Sequence, residues 1–261
     1  MDSICLPRDV NVAADVAIGS LKTLNSGGKM GFVSNKEKKL IFQTPEMYAP
    51  FGVKEWVNEN DGSKKYDLQL SFKDVDDRET LQQLRTFLEK VDDKVVGEAY
   101  INSQKWFNKK YKNKDVVSAL FNESVKYYKN PETGDISDKY PANYKLKLPY
   151  RDGEFKVEAY DSKRNRVDIT GIQTKGSKIT ALVECSGVWC IGGKFGISWK
   201  VIQLQIKPKQ TISGFSFKNV EEDKIECDDD IDEVVKDVEK TTLDDDTDES
   251  DDENDDDTDE I

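Results

Sequence analysis

Ten consecutive residues, Lys105-Trp106-Phe107-Asn108-Lys109-Lys110-Tyr111-Lys112-Asn113-Lys114, hold five lysines and three aromatic rings. Ammonium groups neutralise phosphates, and aromatic faces stack on unpaired bases, so this composition suits a single-stranded nucleic acid. Each stacked base contributes about 1–3 kcal/mol without any readout of sequence. The competing reading is an amphipathic helix whose rings face a core and whose lysines are solvated.

More basic-aromatic pairs follow: Lys126-Tyr127-Tyr128-Lys129, Lys139-Tyr140, Tyr144-Lys145 and Tyr150-Arg151, then Arg164 and Arg166. Adjacent residues on a strand point to opposite faces, so tyrosines can enter a core while their lysines line an exposed sheet. Lys145, Lys147 and Arg151 share parity. The candidate phosphate contacts are therefore Lys105, Lys109, Lys110, Lys112, Lys114, Lys145, Lys147, Arg151, Arg164 and Arg166, with Trp106, Phe107 and Tyr111 as stacking faces. Trp189 and Trp199 are expected in the core. Gly192-Gly193-Lys194 lacks the spacing of a phosphate loop and reads as a hairpin turn.

Other chemistry is excluded or unsupported. The chain has no histidine, which removes Ser-His-Asp and Cys-His arrangements and histidine-ligated metals. Cys5, Cys185, Cys190 and Cys227 form no paired CxxC set. Asp76/Asp77 and Asp92/Asp93 are expected at helix ends, as caps or solvated carboxylates. No catalytic constellation, metal or cofactor is expected. The N-terminus shows no basic start with a hydrophobic run, and no apolar run approaches the ~18 residues of a membrane helix. These features predict a soluble intracellular protein without a membrane partner.

The positioning elements can be read from periodicity. Tyr66, Leu68, Leu70 and Phe72 alternate with polar residues, as in a half-buried strand. Leu40-Ile41-Phe42 and Met30–Val33 are shorter strands, and Val12–Leu21 fits strand or helix. Leu81, Leu84, Leu88, Val91 and Val95 make one helix face. Asp76 and Glu79 suggest its cap, and Gly97 its interruption or end. Further helix is expected at Ser103–Lys112 and Asp115–Phe121. Strands return at Tyr144–Leu148 and Phe155–Ala159, joined by a turn at Arg151-Asp152-Gly153, then at Val167–Ile172, Ile179–Cys185 and Phe195–Lys207. In the last, apolar residues switch from odd positions (195 to 201) to even ones (202 to 206), which predicts a bend or bulge.

Charge divides the chain. Residues 219–261 carry 24 acidic side chains against three lysines, a net of −21; the remaining 36 basic and 28 acidic groups leave residues 1–218 at +8. With few apolar residues to offset ordering, the tail is expected to be disordered. The prediction is a mainly β body over 1–218, with a helical insert at about 76–128, and an acidic tail over 219–261.

Several stretches, in their order, resemble a known family. They are Ala99-x6-Trp106-Phe107-x-Lys109-Lys110, Val116-Val117-x2-Leu120-Phe121, Tyr127-x-Lys129-x4-Gly134, Lys139-Tyr140-Pro141 and Lys194-Phe195-Gly196-Ile197-Ser198-Trp199-Lys200-Val201. Together they span about 81–207. The family is the OB-fold single-stranded-DNA-binding proteins of large nucleocytoplasmic DNA viruses, related to the replication single-strand binder of podophages. The resemblance implies a five-stranded OB barrel with a helix between strands, and non-enzymatic DNA binding without sequence preference in viral replication, recombination or repair. It also implies a tail that competes with DNA for the groove and docks replication proteins. Tails in the phage and bacterial relatives end in an aromatic residue, whereas this one ends in Ile261. Action in a cytoplasmic viral factory, a nucleus or the virion, and assembly as a homo-oligomer, all stay open. The rival reading is an acidic-tailed chaperone or virion scaffold that binds basic proteins.

Overall fold

The computed structural model describes residues 4–25, 27–59, 61–209 and 217. The expected disorder of the acidic tail, and Cys227, lie outside these residues. The chain divides into two units, Met1–Thr211 and Ile212–Ile261, and the first of them carries the barrel.

The strands of that unit that build the barrel are β1 (Ile41–Gln43), β2 (Met47–Ala49), β3 (Val53–Val57), β4 (Lys64–Ser71), β5 (Asn143–Leu148), β6 (Ser177–Ile191) and β7 (Lys194–Lys207). β4 lies antiparallel to β5, with Leu68 opposite Leu146 and Asp67 opposite Lys147. β5 meets β7 in parallel at Lys147 and Lys200. β7 runs antiparallel to β6. β2 then joins β6 to β4, through Met47–Ile179 and Tyr48–Ser71. The ring β2-β4-β5-β7-β6 closes, which removes the free edges of an open sheet. This is a mainly β, OB-like five-stranded barrel.

The alternating residues fill it. Leu68, Leu70, Tyr144, Leu146, Val183, Phe195, Trp199 and Val201 are all buried. The expected switch of face is a bulge: Leu182 pairs with Gln203 but Val183 with Val201, leaving Ile202 as the extra residue. Parity changes there, so Leu204 and Ile206 enter the core although their alternation is opposite to that of Trp199. Gly192 and Gly193, both at positive φ, make the β6–β7 turn.

The helical insert connects β4 to β5. It comprises α1 (Glu79–Ile101), α2 (Ser103–Phe107) and α3 (Lys114–Ser118). Leu81, Leu84, Leu88, Val91 and Val95 face the core from α1. The helix continues through Gly97, correcting the expected stop; the roughly 1 kcal/mol cost of glycine is opposed by the buried Val95, Val96 and Ala99 around it. Its N-cap is Arg78 without a side-chain cap bond, rather than the Asp76/Glu79 pair. The helix expected over Ser103–Lys112 ends at Phe107, because Asn108 turns left-handed at φ 57°.

Two further expectations are corrected. Asp92 and Asp93 lie inside α1, not at its end, and Asp92 is buried. Its carboxyl accepts 2.7 Å hydrogen bonds from the Ser124 N–H and Oγ, and Ser124 Oγ accepts one from Trp199 Nε1 at 2.8 Å. This network ties α1 to β7 through the core. Burial pushes the Asp92 pKa up to about 7, against the lowering effect of the Ser124 bonds. The hairpin expected around Asp152-Gly153 is only two residues deep, Tyr150–Arg151 with Glu154–Phe155. Glu158–Tyr160 instead joins β7 in parallel.

Candidate nucleic-acid interface

The outer face of β3, β4, β5 and β7 follows from register. Trp56 pairs with Lys65 and Lys54 with Asp67; Asp67 in turn faces Lys147, and Lys147 faces Lys200. Side chains at these positions point away from the leucines of the barrel, since the period is two. Lys145 shares the face. So does Lys126, which pairs with Asn143. Within ion-pair distance these six ammonium groups meet two carboxylates among the described residues, Asp67 and Glu184. Lys145 pairs with Asp67 at 2.9 Å and Lys200 with Glu184 at 3.0 Å. Among the described residues, no carboxylate forms an ion pair with Lys54, Lys65, Lys126 or Lys147.

Lys147 donates to Ser198 Oγ at 2.7 Å. Loss of water around its ammonium, reinforced by Lys65 and Lys145, lowers its pKa. Burial lowers that of Lys126 as well, against the opposing pull of Glu123 and Asp92. Cations brought together without counter-charge raise the field over the sheet and favour an external anion.

Aromatic rings accompany the strip. Trp56 is 53% exposed, and its indole Nε1 donates to Asp67 Oδ2. The Lys145 ammonium lies 5.3 Å from its ring centroid. Phe51, also exposed, carries Lys54 over its ring at 4.1 Å. Trp189 pairs with Gly196 on the outer side of the β6–β7 ribbon and is half-buried, so it is not the core residue expected. A Cβ at Gly196 would sit 2.9 Å from that ring, which explains the glycine. Lys126 bonds Asn122, the residue against Gly196, and so extends the strip toward Trp189. Beyond Lys126, Tyr128 and the exposed Tyr140 meet edge to face at 5.0 Å, with Lys139 over Tyr140.

The residues expected to form the site fall in three places. Lys145 and Lys147 lie on the strip. Lys105, Lys109, Lys110, Lys112 and Lys114 are exposed on the insert. Their neighbour Trp106 is core: it is 5% exposed and meets Phe195 edge to face at 5.9 Å. It offers no stacking face, because α2 must cover the end of the barrel at Phe195. Phe107 and Tyr111 are partly buried against the same cluster. This lysine turn adjoins the Trp189 end of the strip. Lys29, opposite Cys190, donates to the Lys105 carbonyl at 2.6 Å and to Asn108 Oδ1 at 3.0 Å. Arg151, Arg164 and Arg166 are exposed in the connection between β5 and β6; Arg166 edges an open cleft walled by Tyr66, Tyr150 and Phe155.

Trp56, Lys54, Lys65, Asp67 and Phe51 were missed by sequence reasoning. Their signal was present as parity: Lys54 and Trp56 alternate as Lys65 and Asp67 do, but no dense cluster marks them. Among the described residues, no group of three or more Cys, Asp or Glu side chains is placed to hold a metal ion, and no helix is long and apolar enough to cross a membrane.

Comparison with known proteins gives a family. Residues 69–220 match a family of unknown function, DUF5871, and the chain belongs to it. It is 26% identical over 188 residues to the uncharacterized protein L291 of Acanthamoeba polyphaga mimivirus, an alignment that takes in 70% of this chain and 28% of that one. The chain thus spans under a third of that relative's length. Similar solved structures include gp2.5, a single-stranded DNA binding protein encoded by bacteriophage T7 (14% identity, 67% of this chain and 90% of that one, TM-score 0.42). Another is the single-stranded DNA-binding protein from bacteriophage Enc34 in complex with ssDNA (9% identity, 77% and 96%, TM-score 0.39).

Proposed function

We propose that this protein is a non-enzymatic binder of single-stranded DNA, serving replication, recombination or repair. The observation that carries the reading is the outer barrel face, where Lys54, Lys65, Lys126 and Lys147 form no ion pair with a carboxylate among the described residues, and which also carries the exposed indole of Trp56. Phosphates would supply the missing charge, and bases would stack on the ring. Phosphate contact and stacking carry no readout of sequence in themselves.

The division into a binding body over 1–218 and a tail over 219–261 belongs to the same proposal. The tail's role rests on its net charge of −21: tethered to a body of +8, it competes with DNA for the strip and recruits replication proteins. Action in a viral factory, a nucleus or the virion, and any homo-oligomer, are part of this proposal and rest on the sequence resemblance.

The test is fluorescence anisotropy with labelled oligothymidine across a salt series. Binding that falls with salt and exceeds that of a duplex supports the reading. No binding at low salt, or equal preference for duplex, overturns it. Removing 219–261 is expected to tighten binding; loss of the main activity would favour the scaffold reading.

A further inference from the structure

Asp67 is the anomaly of the basic face. It is 3% exposed, yet it sits on the outer side of β4 among lysines. Its Oδ2 accepts from both Trp56 Nε1 and Lys145 Nζ, while Oδ1 is buried with no hydrogen-bond partner among the described residues. A buried acceptor without a donor is costly, and native structures rarely keep one without a use. The two side chains bonded to this carboxylate are themselves open to solvent: the Lys145 side chain is 47% exposed and Trp56 53%.

From this geometry we infer that Asp67 reads the edge of the base stacked on Trp56 and favours cytosine over thymine. The inference rests on the single-strand reading and deepens it. In the free protein the Lys145 ammonium occupies the space over the indole and neutralises Asp67. A phosphate of the incoming strand offers that ammonium a second anion. When Lys145 turns toward it, the ring face and the carboxylate are uncovered together. A base then lying on Trp56 presents its edge to the carboxylate, at the Oδ2 that Lys145 has left. Cytosine presents its N4 amine, a donor open on its C5 side; thymine's single donor, N3–H, lies between O2 and O4, two acceptors that a carboxylate repels. The two pyrimidines stack over similar areas, so the difference falls on this one contact.

The experiment compares affinities for labelled oligocytidine and oligothymidine of equal length at pH 8, for the wild-type chain and for Asp67→Asn. The side-chain shape is conserved in this variant, and its amide can donate to thymine O4. Wild-type binding is expected to favour the cytosine strand about 10- to 150-fold, the range of one hydrogen bond to a charged group. Asp67→Asn is expected to abolish or reverse that ratio. Equal wild-type affinities overturn the inference and leave the single-strand reading standing. A cytosine preference that survives Asp67→Asn also overturns it, because another group would then be the reader. Failure of both strands to bind at low salt overturns the single-strand reading, and this inference with it.

Discussion

The Lys147 ammonium is held 2.7 Å from Ser198 Oγ, across the parallel contact of β5 with β7, with a hydroxyl where a counter-ion would be expected. A hydroxyl satisfies one donor but supplies no charge. The field of Lys65 and Lys145 adds to the lost hydration, and both favour the neutral amine. The strip is therefore short of anions before any ligand arrives.

Binding should weaken at alkaline pH earlier than ordinary lysines would allow. A lysine pKa below 10.5 means the charged form is lost as pH rises through that lowered value. Affinity for oligothymidine at fixed ionic strength is expected to fall as pH rises through values at which an ordinary lysine, of pKa 10.5, would still be charged. Lys147→Arg should hold its affinity over that range, since guanidinium stays charged. A flat wild-type profile would remove Lys147 from the interface.

Trp56 and Trp106 should separate binding from stability. Trp56→Ala is expected to cost about 1–3 kcal/mol in single-strand affinity, with little change in melting temperature. Trp106→Ala empties core volume against Phe195 and should cost about 3–5 kcal/mol in stability. Anisotropy and thermal melts on the two variants check both halves.

Salt dependence should show which lysines meet phosphate. For single strands each neutralised phosphate contributes about 0.7 to the slope of log affinity against log salt. Lys65→Met is expected to lower the slope by about that amount. Lys110→Met, on the adjoining turn, asks whether the strand extends past Trp189; an unchanged slope would end the path at the barrel.

The buried Asp92 predicts a stability profile of unusual sign for a carboxyl. Its pKa is about 7 in the fold against 3.8 as the reference, so between those values the folded chain binds the extra proton. Stability is then lost as pH rises from about 4 to 7, by up to about 4 kcal/mol from this group, and is constant above. Asp92→Asn should flatten the difference in urea midpoint between pH 5 and pH 8. A wild-type midpoint that rises over that range would show that other groups dominate.

Alternation and charge were legible without the fold. The leucines of β4 and β5, the face of α1 and the parity switch around Ile202 all follow from steric periods of two and 3.6 residues, which a chain carries locally. The separation of a basic body from an acidic tail is likewise a property of the sequence, as is the lack of histidine chemistry. Which ring is exposed was not local. Trp106 in its lysine cluster and Trp56 in an unremarkable hairpin differ only in what packs on them: Phe195 covers the first, and the second is left at the outer side of β3. Periodicity assigns residues to a common face, but only closure of the barrel and docking of the insert decide which face loses its water. For the same reason Asp67, one aspartate among many in the sequence, becomes a buried acceptor only when β3, β4 and β5 bring Trp56 and Lys145 against it.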